Sequence, residues 1–146
     1  MQTLREYRRK YALYHSDRNL RELRRRYPMV GIWDDHEVED NYADELPGDA
    51  TIDPRVPFIK RRRNAYRAFF EHMPFRPVTA PDGRGGRFRI YRSLRLGRNA
   101  ELMLLDQRQY RDDQPCGDAL PPVPPCSEAI RNDPSRTFLG KPQKPG

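Results

Sequence analysis

The chain has 146 residues, of which 36% are hydrophobic, 34% are charged and 10% are aromatic, and its formal net charge is +7. Regular apolar spacing excludes wholesale disorder, while the low apolar content predicts a thin core, that of a small domain or of part of a larger one. No apolar run reaches the length of a transmembrane helix, and residues 1–10 are polar and basic, so neither a membrane segment nor a signal peptide is predicted.

Three helices are predicted where apolar residues recur every three or four positions. Thr3 and Glu6 have the spacing of a capping box and open the first helix. Residues 16–17 interrupt it and offer an N-cap for a second helix, which Pro28 ends. A third helix is predicted over residues 58–73, with an aromatic face.

Strands are predicted in two places. Residues 29–33, with sequence MVGIW, are a short apolar run that we interpret as a buried strand. Residues 88–96 alternate apolar and polar side chains and pair with residues 101–105 in a predicted hairpin. The remainder of the chain, from residue 107 onward, is predicted to be loop and includes a proline-rich run at residues 119–126. The chain is therefore predicted to combine helices, a short strand and a hairpin.

The most polar segment of the chain, WDDHE at residues 33–37, directly follows the predicted strand 29–33. Five acidic residues fall within seven positions: Asp34, Asp35, Glu37, Glu39 and Asp40. Carboxylates and imidazole are ligands for divalent and ferric cations. Adjacent carboxylates repel unless positive charge offsets them. Either a metal ion or the arginine-rich helices would supply that charge, and both alternatives stay open.

Histidines are scarce, which limits how much of a metal centre the chain supplies. Of the three, His36 lies in the acidic segment, while His15 and His72 lie near predicted helix ends, where a histidine favours the helix dipole. We give those two a structural interpretation. Because a two-metal centre draws ligands from several strand ends, the chain is expected to provide part of one at most.

Arginines form two further candidate groups. Arg108 and Arg111 follow Asp106 at the end of the predicted hairpin, where the two arginines are suited to bind phosphate. The alternative is that Asp106 and Arg108 connect the strand end to a loop by salt bridges. The run at residues 61–63 lies on the third helix beside aromatic residues. It predicts either a solvated face or a polyanion-binding face.

Cysteines occur twice, at Cys116 and Cys126, with a spacing that allows either a small disulfide loop or two free thiols. Zinc-type cysteine pairs do not occur. The sequence contains no recognisable nucleic-acid-binding motif, and no pattern in it specifies an oligomeric state.

Several of these segments resemble the alkaline phosphatase D (PhoD-like) family. Residues 32–44, IWDDHEVEDNYAD, are similar to the family's WDDHEV-x-N-N signature, and residues 104–116, LLDQRQYRDDQPC, to its LD-x-RQYR-x-DQPC segment. Residues 61–77 are similar to its helix before an EHMP-type turn, and residues 136–143 to its RT-x-LG-x-x-Q element. The resemblance is collinear and covers nearly the whole chain.

The resemblance implies a metallophosphoesterase-type α/β sandwich with a dinuclear centre containing calcium (Ca²⁺) and sometimes iron (Fe³⁺). In that chemistry a metal-bound hydroxide attacks the phosphorus of a phosphomonoester or diester. A phosphate ester is therefore the expected substrate, and the parent protein is expected to be periplasmic or extracellular.

The same resemblance implies roles for individual residues. Asp35 is the expected metal ligand, His36 the expected transition-state stabiliser or general acid, and Asp34 a second ligand or an orienting residue. Asn41 matches the second asparagine of the family pattern and is expected to contact metal or phosphate, while Asp40 replaces the first asparagine. From the residue patterns alone, Arg108 and Arg111 are expected to bind substrate, and Asp106, Cys116 and Cys126 are expected to be structural.

Two departures from the family pattern bear on activity. The family's upstream elements, a cysteine-containing strand and a GD-x-x-Y-type motif, and its downstream GD-x-H-type motif are not found among the 146 residues. Residues 1–146 are therefore expected to form a partial domain, either a fragment of a longer reading frame or a degraded remnant, that is inactive in isolation. The rival hypothesis is a basic module that binds nucleic acid or another polyanion without catalysis, and a third is a non-functional, partly disordered product.

Overall fold

The computed structural model describes residues 1–48, 55–75, 88–117 and 126–143. Its elements are α1 Leu4–His15, α2 Arg18–Arg26, α3 Phe58–His72, β1 Arg92–Leu96, β2 Ala100–Leu104, α4 Glu128–Arg131 and a 3-10 turn at Lys141–Gln143. Helices thus accompany a small antiparallel sheet, as the predicted mixture of α and β elements requires. Of the helices in these ranges, none is long and apolar enough to span a bilayer.

Local sequence signals set where the first two helices begin. The Thr3 hydroxyl accepts a hydrogen bond from the Glu6 backbone N–H, and the Glu6 carboxylate accepts one from the Thr3 N–H, which confirms the capping box. The Thr3 N–H is the main reason that the pKa of Glu6 falls to about 2. Asp17 caps α2 by accepting from the Leu20 N–H at 2.7 Å. The predicted helix starts are therefore confirmed.

An aromatic core joins α1 and α3 to the segment that carries the site. Trp33 is 2% exposed and stacks on Tyr66 with ring centroids 4.1 Å apart. Tyr7 of α1 donates its hydroxyl to the Val38 carbonyl at 2.9 Å. The larger buried aromatic side chains are Tyr7, Trp33, Tyr42, Tyr66 and Phe69. The acidic segment is thus held at both of its ends by core residues, Trp33 and Tyr42.

Residues 29–33 do not form the predicted strand. No strand is assigned there, and within the described ranges the only sheet pairs β1 with β2. Met29 and Val30 are exposed, and the Gly31 carbonyl accepts from the Arg92 guanidinium at 3.3 Å. The run places Trp33 in the core with Ile32 packed against it, and no strand of the described residues pairs with it.

The hairpin is confirmed but is shorter and more exposed than predicted. Its antiparallel register pairs Arg92 with Leu104 and Leu96 with Ala100. Residues 88–91 stay outside the ladder, because the Gln109 side chain bonds both the N–H and the carbonyl of Phe88. The alternation over residues 88–96 predicts a half-buried strand, but Leu96 at the end of β1 is 58% exposed.

The segment after residue 107 is less loop-like than predicted. Ser127 caps the short helix α4 by accepting from the Ile130 N–H at 3.3 Å. Gln143, in the 3-10 turn, accepts from the Asp106 N–H at 2.8 Å and donates to the Asp106 carbonyl at 2.6 Å. The proline-rich run lies outside the described residues except for Cys126.

Candidate metal and phosphate site

The acidic segment folds into a tight turn that its own side chains hold. The Val38 N–H donates to the Asp35 carbonyl at 2.7 Å and closes the turn. The Asp35 carboxylate accepts from the His36 N–H at 2.8 Å and from the Asn41 N–H at 3.2 Å. Asn41 has a φ of 49°, a left-handed conformation that asparagine tolerates better than most residues. The result brings Asp34, Asp35 and Asn41 to one side of the turn.

Arg108 supplies the positive charge between the adjacent carboxylates. Its Nε donates to Asp34 at 2.6 Å, and its Nη2 lies 3.1 Å from Asp35. Its Nη1 donates to the Asn41 side-chain oxygen at 3.3 Å. Burial alone would raise the pKa of Asp35, but the Asn41 N–H and the charge of Arg108 outweigh burial and lower that pKa. Asp35 is therefore ionised at neutral pH.

The backbone that carries Arg108 is fixed by Asp106. This aspartate is fully buried, and one of its oxygens accepts from the N–H groups of Arg108 and Gln109, both at 3.0 Å. Its other oxygen accepts from the Gln109 side chain at 2.6 Å. Asp106 thus holds a turn at the end of β2 that aims Arg108 at the acidic segment.

The second half of the acidic segment pairs with α3. Glu39 forms a buried ion pair with Arg61, and Arg62 contacts Asp44 at 3.1 Å. Arg61 and Arg62 are both buried, so the expectation of a solvated or polyanion-binding face is wrong for these two residues. Arg63 alone of the three is exposed. Burial of the Arg61 charge is offset by Glu39, whose side chain is 4% exposed, whereas the Arg62 guanidinium reaches the partly exposed Asp44.

The geometry fits part of a metal site. Asp35, His36 and Asp40 offer ligand atoms that lie within 4.8 Å of one another. The His36 side chain is 80% exposed, and its Nε2 lies 3.6 Å from the nearer Asp40 oxygen. Two carboxylates and an imidazole are a donor set suited to divalent or ferric ions. Asp40, which the sequence pattern left without a role, joins the candidate ligands.

The model of the PhoD-like phosphatase family matches residues 1–145. The chain belongs to this family. It is 43% identical over 142 residues to alkaline phosphatase D of Bacillus subtilis (strain 168), in an alignment that covers 97% of this chain and 23% of that protein. The solved structure of PhoD is similar with a TM-score of 0.78 at 37% identity, over 98% of this chain and 26% of that one. The PhoD-like chain thus spans about a quarter of the length of these relatives.

The remaining predicted site residues of this PhoD-like chain follow Arg108 in sequence: they are Arg111, Cys116 and Cys126. Arg111 is buried, with its guanidinium 5.3 Å from the centre of the Phe138 ring. Cys116 and Cys126 form a disulfide with Cα atoms 5.4 Å apart. Gln114, which the sequence reasoning passed over, accepts from the Asn41 side chain at 2.8 Å. Its only sequence signal was its place in the DQPC motif.

His15 and His72 lie together between α1 and α3. Their rings are 5.7 Å apart, and Arg24 donates to His15 Nε2 at 2.7 Å. His72 Nδ1 donates to the Ala68 carbonyl at 2.8 Å. Burial, followed by the charge of Arg24, lowers the pKa of His15. These contacts fit the structural interpretation that the sequence favoured for both histidines.

Proposed function

We propose that this PhoD-like chain forms one wall of the active site of a metal-dependent phosphoesterase that hydrolyses phosphate monoesters or diesters. The observation that carries the proposal is the convergence of Asp34, Asp35 and Arg108 on one turn beside the exposed His36. Because the chain spans about a quarter of its relatives, we assign catalysis to the whole phosphatase and expect no turnover from the isolated chain.

The proposed metal ligands are on the acidic turn. Asp35 is the main ligand, with Asp34, Asn41 and Asp40 as further candidates, and calcium and iron are the proposed ions. A bound cation would supply the positive charge that stabilises the phosphoryl group as negative charge develops on it. The lowered pKa of Asp35 supports this role, because a ligand carboxylate must be ionised.

His36 and Arg108 are proposed to act on the ester itself. The exposure of the His36 ring supports its access to a leaving-group oxygen, to which it would give a proton as general acid. Arg108 has five N–H donors, and hydrogen bonds to Asp34, Asn41 and the Tyr42 carbonyl occupy three of them within the described residues. Its Nη2, which lies 3.1 Å from Asp35, is proposed to bind a phosphoryl oxygen.

Two further proposals concern the parent protein. We propose that these elements belong to a metallophosphoesterase-type sandwich, for which the structural similarity to PhoD is the support. We also propose a periplasmic or extracellular location, supported by the Cys116–Cys126 disulfide, since disulfides persist in oxidising compartments.

Polyanion binding is a second candidate function that one observation favours. A cavity of about 800 Å³ on α2 is lined by His15 and by Arg18, Arg21, Arg24 and Arg25, with Glu22 as an acidic neighbour. Such binding would weaken steeply with salt, as contacts between arginine and phosphate do. It would also survive loss of His36, which separates it from the phosphoesterase proposal.

A segment exchange tests the phosphoesterase proposal. The stretch of Bacillus subtilis alkaline phosphatase D that aligns with this chain is replaced by the chain, and hydrolysis of p-nitrophenyl phosphate and bis-p-nitrophenyl phosphate is measured with calcium and iron added. We expect an active hybrid, and a His36→Ala hybrid with kcat lower by at least about 100-fold, since a positioned proton donor typically contributes that much.

The matched control is His15→Ala, which removes a histidine from the α1–α3 contact instead of the acidic turn. We expect this hybrid to keep most of its kcat. A folded hybrid without activity, or equal kcat values for the two histidine variants, would show that the acidic turn does not serve phosphate ester hydrolysis.

A further inference from the structure

A cleft of about 360 Å³ lies between residues 111–115 and residues 131–138. One of its lining residues, Gln114, accepts a hydrogen bond from the Asn41 side chain at 2.8 Å. Asn41 in turn contacts Arg108, the arginine that bridges Asp34 and Asp35. The cleft therefore adjoins the candidate phosphate site, because the Asn41 side chain contacts both Gln114 and Arg108.

Phe138 gives this cleft an aromatic surface. The side chain lines the cleft and is 53% exposed. The buried Arg111 guanidinium lies over the ring, 5.3 Å from its centre. A cation over one face of an aromatic ring is attracted to that ring, which favours this position of Phe138. The exposed part of the ring is left to stack on a planar ligand.

The charges of the cleft balance. Three arginines and three aspartates line it, so it has no net formal charge. The aspartates are engaged with backbone N–H groups, as Asp112 is with Thr137 at 2.6 Å and Asp133 with Ser135 at 2.9 Å. Arg131 donates to the Cys126 carbonyl at 3.2 Å. A neutral cleft of this kind suits an uncharged group better than a second phosphate.

We infer that this cleft binds a planar, uncharged aromatic group of the phosphate ester, stacked on Phe138 while the phosphoryl group lies at Arg108. The substrate class is then an aryl or heteroaryl phosphate ester. This inference rests on the proposed function and adds to it a residue, Phe138, that determines specificity by contacting the organic part of the substrate.

The test compares phenyl phosphate with methyl phosphate, which share the phosphoryl group and differ in the aromatic ring. Each is titrated into the purified chain with calcium present, and backbone amide shifts are followed by NMR. We expect phenyl phosphate to bind roughly 10-fold more tightly, in keeping with the usual gain from aromatic stacking, and to shift the amides of Thr137 and Phe138. Phe138→Ala removes this preference, whereas Phe138→Tyr, which keeps the ring, retains it.

Equal affinity for the two phosphates, or a preference that survives Phe138→Ala, overturns the inference. In either case the proposed function is still supported if methyl phosphate shifts the amide signals of residues 34–41. Absence of binding by both phosphates overturns the inference together with the proposed phosphate site. Because Phe138 is half exposed, Phe138→Ala is expected to have the same melting temperature as the wild type. Matching thermal melts by circular dichroism verify that the variant is folded.

Discussion

The Trp33→Ala variant will unfold with a free energy about 3–5 kcal/mol below that of the wild type, the usual cost of truncating a buried tryptophan. Trp33 stacks on Tyr66 at 4.1 Å and meets Phe69 and Phe70 edge-on. Such a loss is a large part of the roughly 5–15 kcal/mol that stabilises a typical domain. Because Asp34 is the next residue, the acidic turn is expected to lose its anchor as well.

Trp33→Phe is the matched control for this prediction. Within the described residues the indole Nε1 is buried without a hydrogen-bond partner, so phenylalanine removes an unpaired donor and keeps a ring in the stack. We expect a clearly smaller loss than for alanine. Urea unfolding is followed by far-ultraviolet circular dichroism, because the chain has a single tryptophan. Equal losses for the two variants would mean that ring stacking at this position does not stabilise the fold.

The Arg61→Met variant is expected to lose a similar amount, about 3–5 kcal/mol, because it leaves a buried carboxylate without its guanidinium. The Arg61 and Glu39 side chains are 3% and 4% exposed. Methionine replaces the length of the arginine side chain but carries no charge. Adding Glu39→Gln removes the stranded negative charge and keeps an acceptor for the Gly48 N–H, so the double variant should recover most of the loss.

Arg63→Met is the control on the same helix, since Arg63 is exposed. We expect it to change the unfolding free energy by less than about 0.5 kcal/mol, as most surface substitutions do. Urea unfolding of the four proteins measures the comparison. If Arg61→Met and Arg63→Met behaved alike, the pairing of α3 with the acidic segment would make no net contribution to stability.

The features that sequence reasoning predicted correctly depend on residues close together in the chain. The capping box joins Thr3 to Glu6, and Asp17 caps a helix that starts beside it. Helix starts of this kind are settled by backbone N–H groups within one turn. The hairpin was also predictable, because the turn at residues 97–99 places its two strands side by side.

The features that were missed depend on distant partners. An apolar run such as residues 29–33 becomes a strand only if another strand pairs with it, and the sequence does not name that partner. The arginine that neutralises Asp34 is 74 positions away, and the carboxylate that accompanies Arg61 into the core is 22 positions away. For Asp34 and Asp35 the sequence left two sources of positive charge open, a metal ion and the arginine-rich helices. Arg108, which follows β2, was not among them.

The most direct test is a titration of calcium into the purified chain, with the heat of binding measured by calorimetry. It asks whether the acidic turn is a metal-binding wall of a phosphoesterase site. Asp35→Asn keeps the shape of the side chain and removes its charge, while Asp133→Asn makes the same change at an exposed aspartate elsewhere. We predict saturable binding that Asp35→Asn weakens by at least about 10-fold and that Asp133→Asn leaves unchanged. Identical calcium binding by the two variants would contradict the account.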